Sequence, residues 1–136
     1  MSYGSAASLQ EAVFAALAAD GAVAGLSGGA VFDAMPPGAV PSLYVSLGPE
    51  RARQKADKTG DGAVHDFSVL VVSSGAGFGA AKGLAVAVSD ALVGAPLTLS
   101  RGRLISLDFR RAQAKRDGDS RRIELWFRAR VDLGSA

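Results

Sequence analysis

The sequence contains no cysteine and only one histidine, His65. Without cysteine there is no disulfide framework, no thiolate metal site and no cysteine nucleophile. His65 has no second histidine with which to share a metal ion, and no Asp or Glu cluster at ligand spacing surrounds it. Its neighbour Asp66 points to the opposite face of a strand, so it is badly placed to orient the imidazole. We therefore expect no metal site, although a Ser–His–Asp triad built from distant residues stays open.

Long apolar segments are also missing. No window of about 18 apolar residues is free of charges and glycines, which argues against a membrane-spanning helix. The first residues lack a basic stretch followed by an apolar core, so we expect no secretory signal. With 136 residues, 49% of them hydrophobic, the chain suits one domain with a proper core. We therefore predict a single domain over residues 1–136 and no membrane partner.

Basic residues are absent from the first 50 positions, which contain Glu11, Asp20, Asp33 and Glu50. Residues 101–130 instead contain ten Lys or Arg and four Asp or Glu. One part of the chain is therefore acidic and another basic. Such polarity suits contact with nucleic acid or head-to-tail association of identical subunits. A solvated, charged hairpin is the simpler alternative.

Local patterns predict two helices. Ser8 and Glu11 form a capping box at the start of an amphipathic segment, which predicts a helix over Ser8–Ala19. A short helical piece or turn follows over Gly21–Leu26. A second helix is predicted over Ala80–Val93, where apolar residues recur at i, i+4 and i+8 before a glycine and a proline end the pattern.

Strand patterns occupy most of the remaining chain. We predict a brief strand over Ala30–Asp33 and an alternating strand over Leu43–Leu47. The segment Val64–Ser73 is apolar on both faces, which indicates a central strand with something packed on each side. A short strand over Leu97–Leu99 is a further candidate.

Two long alternating runs, Arg103–Lys115 and Arg121–Leu133, flank an Asp-Gly turn signal and predict a long antiparallel hairpin. In the first run Ile105, Leu107 and Phe109 are expected to point inward. The inner face of the second run is expected to carry Ile123, Leu125, Phe127, Ala129 and Val131. These elements together predict an α+β domain: a mainly antiparallel sheet, two helices packed on it and a C-terminal β-hairpin.

The segment Pro49–Gly62 is polar over most of its length. Polar stretches of this length inside a small domain are usually functional or disordered. It could be an extended hairpin arm, a loop that orders on a partner, or a plain mobile loop.

Gly75, Gly77 and Ala80 fit the pattern G-x-G-x-x-A, which holds a dinucleotide pyrophosphate in some α/β folds. That site also needs an acid about twenty residues further on and several more βα units. Neither is present, because the chain continues as a hairpin. A flexible strand-to-helix connection is the favoured interpretation, and no cofactor is expected; a small cofactor-binding enzyme that uses Gly75–Ala80 is the alternative.

Trp126 alternates with Arg128 and Arg130 on the face of the last strand that is expected to point away from the core. Tryptophan and arginine are enriched at the centres of protein–protein contacts. A nucleic-acid surface would need several stacking aromatics, and this face offers one beside acidic residues. We therefore favour a protein interface over a nucleic-acid-binding module, with a tryptophan covered by a helix of the same chain as the third interpretation.

The pattern as a whole resembles the tail terminator (tail-completion) family of long, non-contractile-tailed phages and of gene transfer agents. The resemblance runs over about Ser8–Val131. The stretches that carry it are LQEAVFAALAAD, GLSGGAVFDAMPPGAVPSLYVSLG, HDFSVLVVSS, GAAKGLAVAVSDAL and LISLDFRRAQAKRDGDSRRIELWFRARV. None of these motifs is catalytic, so the resemblance implies a structural protein and not an enzyme.

The resemblance implies a ring, usually of six copies, that caps the tail tube and joins it to the head-completion (stopper) protein at the neck. The protein would be assembled in the host cytoplasm and located in the virion, with DNA passing through the ring. Another neck or minor tail component is the closest alternative. The hypothetical interface residues are Trp126, Arg128, Arg130, Arg51, Arg53 and Lys55. The residues that could face the channel and its DNA are Arg110, Arg111, Lys115 and Arg116.

Overall fold

The computed structural model of the chain describes residues 3–34, 38–54, 61–75 and 78–134. Within these residues the chain forms three helices and five strands. They are α1 (Ala6–Ala19), α2 (Gly21–Ser27), β1 (Val31–Phe32), β2 (Leu43–Gln54), β3 (Asp61–Ser73), α3 (Gly79–Leu92), β4 (Arg103–Asp117) and β5 (Ser120–Gly134).

The described strands form one sheet in the order β1-β2-β3-β5-β4. The short β1 pairs with β2 in parallel, and the other neighbours are antiparallel. The predicted α+β class and the long C-terminal hairpin are therefore confirmed, and β3 is the central strand, as predicted. The sequence did not resolve α2 as a helix in its own right, which makes three helices where two were expected to pack on the sheet.

The core lies between the helices and one face of the sheet. On β3 this face carries Val69 and Val71, and on β5 it carries Phe127, all with no exposed surface. From α3, Leu84 and Val88 fill the opposite side, at the spacing that the sequence predicted. The opposite face of β3 is partly covered as well, since Val64 is 4% and Ser68 1% exposed and the Ser68 hydroxyl donates to the carbonyl oxygen of Pro49 in β2.

The predicted capping box at Ser8 is wrong. Helix α1 begins at Ala6, with Ser5 at the N-cap position. The Ser8 hydroxyl lies inside the helix, 3.0 Å from the carbonyl oxygen of Ser5 and 2.9 Å from that of Arg101, and its single proton can be donated to either. It therefore ties the helix to a distant loop. The Ser5 hydroxyl, in turn, shares a 3.0 Å hydrogen bond with Nε2 of the buried His65.

Two predictions on the strands also fail. Residues 97–99 form no strand, although Leu97 and Leu99 pack against the core. Ile105 is 51% exposed, because the β4–β5 register shifts between Leu104 and Ser106. Such a bulge adds one residue to a strand and turns its side chain out of the alternation. Phe109 keeps an edge-to-face contact with Phe127 at 5.9 Å but is 44% exposed at the edge of the sheet.

The polar segment 49–62 is an extended hairpin arm wherever the structure describes it. Strand β2 continues to Gln54 and β3 starts at Asp61, with Arg53 paired to Val64. The arm bends at a register shift between Leu47 and Glu50. There a Cβ on Gly48 would lie 2.5 Å from the Ser68 hydroxyl, so a larger residue would displace the Ser68 side chain. Residues 55–60, and with them the predicted interface residue Lys55, lie outside the described residues.

No single helix in the described ranges is long and apolar enough to cross a membrane. Helices α1 and α2 taken together pass the same test of length and composition, but they meet at a 71° bend. Their apolar residues Leu9, Val13, Leu17 and Val23 are buried in the core of the domain.

Candidate functional site

The sheet face opposite the helices, here called the outer face, contains most of the residues that the sequence singled out. Because side chains alternate along a strand, Trp126, Arg128 and Arg130 of β5 point away from buried Leu125 and Phe127. Trp126 and Arg128 are half-buried and Arg130 is exposed. No helix in the described part of the chain covers Trp126, so that interpretation of the tryptophan was wrong.

Strand register brings the two predicted groups of arginines together. Arg51 on β2 lies opposite Asp66 on β3, and Asp66 lies opposite Arg128 on β5. In the next row of the sheet, Arg53 and Arg130 lie on either side of Val64. Residues that are more than 70 positions apart in sequence therefore share one part of the outer face.

The centre of this arrangement is an ion pair that the sequence did not reveal. Arg128 donates from Nε to Asp66 Oδ1 at 2.8 Å and from its terminal nitrogen to Oδ2 at 3.2 Å. This bidentate hydrogen bond lowers the pKa of Asp66, and the positive charges of Arg53 and Arg110 lower it further. The same hydrogen bond raises the pKa of Arg128. One sequence feature could have indicated this ion pair. Asp66 is an acid at an outward-pointing position of a strand, and both neighbouring strands carry arginines.

Trp126 is held on the outer face by two polar neighbours. Its indole Nε1 donates to Glu124 Oε1 at 2.7 Å. The Arg111 guanidinium lies 5.6 Å from the ring centroid, within the range of a cation–π interaction. The tryptophan is therefore fixed with one face under an arginine.

These residues surround a cleft of about 210 Å³, here called the arginine cleft. Its lining consists of Arg51, Asp66, Arg110, Arg111, Trp126, Phe127 and Arg128. It thus combines three predicted interface residues with two arginines that the sequence assigned to a DNA channel. Lys115 and Arg116, the other two in that assignment, are exposed near the far end of β4, and Arg116 lines a separate open cleft beside Gly75 and Arg121.

The arginine cleft has an excess of positive charge. Four arginines face one aspartate, and that aspartate already accepts two hydrogen bonds from Arg128. Among the described residues, neither Arg110 nor Arg111 has an ion-pair partner. Guanidinium groups bind planar carboxylates and phosphates through paired N–H donors. The cleft is therefore suited to an acidic group from outside the chain.

The glycine-rich segment has a plain structural contact where it is described. The backbone N–H of Gly75 donates to the Ser73 hydroxyl at 3.1 Å, which closes a local turn. Gly77 lies outside the described residues.

His65, the other candidate for chemistry, has no exposed surface, and its Nε2 is hydrogen-bonded to the Ser5 hydroxyl. In this position it joins the start of α1 to β3.

Comparison with known proteins agrees with the sequence resemblance. The sequence model of the family described as "Tail completion protein gp17" matches residues 11–132. The chain is similar to a chain of a solved structure, "Virion of native gene transfer agent (GTA) particle", with 57% sequence identity and a TM-score of 0.92. That similarity covers 96% of this chain and 99% of the other. A search of the curated proteins gave no match. The chain therefore belongs to the tail completion protein gp17 family and is a structural protein of the virion tail.

Proposed function

We propose that this protein is a tail terminator, a ring of six copies that caps the finished tail tube. On its other side the ring would bind the head-completion (stopper) protein at the neck, and DNA would pass through the centre. The observation that carries the proposal is the likeness to a gene transfer agent virion chain over nearly the full length of both chains.

The outer face supports assembly into a ring. It presents Trp126 and several arginines on a rigid sheet, and no helix in the described chain covers it. Tryptophan and arginine at a well-ordered surface are the residues that most often dominate binding energy in protein contacts. A face of this kind is expected to be buried in the assembled particle.

The edge strand β4 supports passage of DNA. Its basic residues Lys115 and Arg116 are exposed near the hairpin turn, and neither has an ion-pair partner among the described residues. Basic side chains on a channel wall would contact phosphates without reading bases, and such contacts weaken with salt. We assign these two residues to the channel wall.

The edge of β4 is also protected against indiscriminate pairing. The backbone N–H of Gly94, just after α3, donates to the carbonyl oxygen of Leu107 at 3.0 Å. This blocks the middle of an otherwise open strand, a common way to prevent uncontrolled sheet extension. We therefore expect subunits to associate through side chains of the outer face and not through a continuous intersubunit sheet.

The test is a measurement of mass in solution together with a capping assay. The purified protein is examined by sedimentation velocity and negative-stain microscopy, alone and after incubation with purified tail tubes. We expect closed rings, or caps at one end of the tubes. Tubes that already carry the native protein are the control, because their ends should bind no more. A chain that stays monomeric alone and leaves bare tube ends unoccupied contradicts the proposal.

A further inference from the structure

We propose that the arginine cleft of one copy binds acidic residues at the β1 edge of the next copy, and that this contact closes the ring. The inference rests on the proposed function, since it names the surfaces through which the ring would assemble.

The acidic patch forms around Gln10 on α1. Gln10 Nε2 donates to Asp33 Oδ1 at 2.6 Å, just after β1, and Gln10 also lies beside Glu50 in a small groove between α1 and β2. Glu11 is the next residue on the helix and is exposed, as are Asp33 and Glu50. The first 50 residues contain no Lys or Arg. We call Glu11, Asp33 and Glu50 the acidic edge.

The acidic edge and the arginine cleft lie on opposite faces of the sheet. The acidic edge is on the helix side, where Glu50 lies opposite buried Phe67 and accepts a 2.8 Å hydrogen bond from Tyr3, just before α1. The arginine cleft opens on the outer face and extends from Arg51 on β2 to Arg110 and Arg111 on β4. Two different complementary patches on opposite sides of one subunit give a heterologous, head-to-tail contact, and such contacts generate rings when the rotation closes.

The surroundings of the cleft favour a carboxylate of a protein over the phosphates of DNA. Asp108 lies opposite Arg128, and Glu124 holds the indole of Trp126. Together with Asp66 they place three acids on the same part of the outer face. A row of phosphates would have to pass all three acids, whereas one or two carboxylates between Arg110, Arg111 and Arg51 would meet only Asp66, which is already paired with Arg128.

Reversal of charge on each patch tests the contact. The first variant carries Arg110→Glu with Arg111→Glu, and the second carries Glu11→Arg with Asp33→Arg. Each alone should self-associate about 100-fold more weakly than the native chain, because like charges then meet across the interface. A mixture of the two should recover association to within about tenfold of native, since each reversed patch finds its complement on the other protein.

Matched controls reverse the same amount of charge elsewhere. Lys82→Glu with Arg103→Glu, and Asp90→Arg with Asp119→Arg, alter exposed residues outside both patches. Sedimentation velocity and tube capping are measured for every protein, and circular dichroism checks that each one folds. The controls should associate like the native chain.

A cysteine pair gives a second test that needs no charge reversal. The native chain has no cysteine, so Asp33→Cys together with Arg111→Cys provides the only thiols. Treatment with a short bismaleimide should link subunits into a ladder that ends at the closed ring. Either single cysteine variant alone should give at most dimers.

The outcomes separate this inference from the proposed function. Rings or caps that tolerate both charge reversals and give no ladder overturn the inference and leave the tail terminator proposal standing. Loss of DNA retention by the Arg110→Glu, Arg111→Glu variant, with association unchanged, also overturns it and assigns the cleft to DNA. A native chain that neither self-associates nor caps tubes overturns both.

Discussion

His65 and Asp66 are adjacent in β3, yet their side chains point to opposite faces of the sheet and make different kinds of contact. His65 points to the helix side, has no exposed surface and binds Ser5 at the start of α1. Asp66 points to the outer face, is half-buried and forms a bidentate ion pair with Arg128. On the helix face the hydrogen bond of His65 Nε2 is made within the chain. On the outer face neither Arg110 nor Arg111 forms an ion pair within the described residues, which is the observation behind the proposed contact with a second copy.

The sharpest test of this contrast is a pair of neighbouring truncations on β5. Phe127 is fully buried, stacks on Phe67 at 5.6 Å and contacts Phe109. Phe127→Ala should lower the free energy of unfolding by about 3–5 kcal/mol, the usual cost of a large buried cavity. Trp126→Ala, on the outer face, should cost a monomer about 1 kcal/mol or less, because its main contacts are one hydrogen bond and one cation–π interaction.

Urea titration of both variants, at a concentration where the chain is monomeric, measures these values without a contribution from assembly. Association should show the reverse order, with Trp126→Ala the more damaging of the two folded proteins. Equal losses of monomer stability would mean that the outer face is a second core and would remove the contrast between the faces.

The second prediction concerns pH and the helix face. Burial lowers the pKa of His65, against the smaller opposing effects of Glu50 and Asp66. Its Nδ1 is buried without a partner in the described residues, so the imidazolium would have an unsatisfied donor. Protons therefore bind the unfolded chain preferentially, and the free energy of unfolding should fall as pH drops below 6.5, the ordinary value, toward the folded pKa.

Thermal unfolding from pH 7.5 to pH 5, about 2.5 units around that ordinary value, gives the measurement. In His65→Gln the slope over this window should be much smaller, whatever the absolute stability of the variant. A native protein whose stability does not change between these pH values would show that His65 is not held in its neutral form by burial.

The third prediction is that the contribution of the outer face to stability depends on pH in a more acidic range than that of His65. The hydrogen bond from Arg128 lowers the pKa of Asp66. The stability that it contributes is therefore complete above 3.8, the ordinary value, and is lost as pH falls through the folded pKa. Asp66→Asn should cost about 1 kcal/mol at neutral pH, the upper end for a partly exposed pair. Chemical denaturation of the variant and of Asp119→Asn, an exposed control, at pH 7 and at successive pH values below 3.8 tests this. A cost that does not decrease as pH falls would contradict an ionic origin.

The sequence predicted the helix face better than the outer face, and the reason is physical. The alternation in β5 and the i, i+4, i+8 spacing of α3 indicate which residues are buried, because burial depends on the hydrophobicity of each residue and on its local position. The Asp66–Arg128 pair depends on the register between strands 62 positions apart. Local pattern does not carry that information, so the sequence predicted an interface role for the arginines, which stays a prediction, and missed their acidic partner Asp66.

The failures within the core have a similar origin. Ser8 fits a capping box, but the carbonyl oxygen of Arg101 offers its hydroxyl a partner 93 positions away. Ile105 fits an inward position, but a bulge in the pairing of β4 with β5 turns it outward. In each case a tertiary contact overrides a local preference. For the polar segment 49–62, by contrast, the sequence did not distinguish a hairpin arm from a loop, because both have the same polar composition.

The smallest predicted effect tests whether the arginine cleft is ordered before any partner binds. Trp126 is the single tryptophan of the chain, so its fluorescence reports on the cleft alone. Arg111→Gln should shift or strengthen the emission, because the guanidinium 5.6 Å from the ring centroid is replaced by a neutral group. Its cost to monomer stability should be about 0.5 kcal/mol, typical of an exposed cation–π contact. Arg103→Gln, on the same strand and paired to Asp132, should leave the emission unchanged. Identical spectra for the native protein and Arg111→Gln would mean that Arg111 does not rest on the indole in the free chain, so that the cleft forms only when subunits meet.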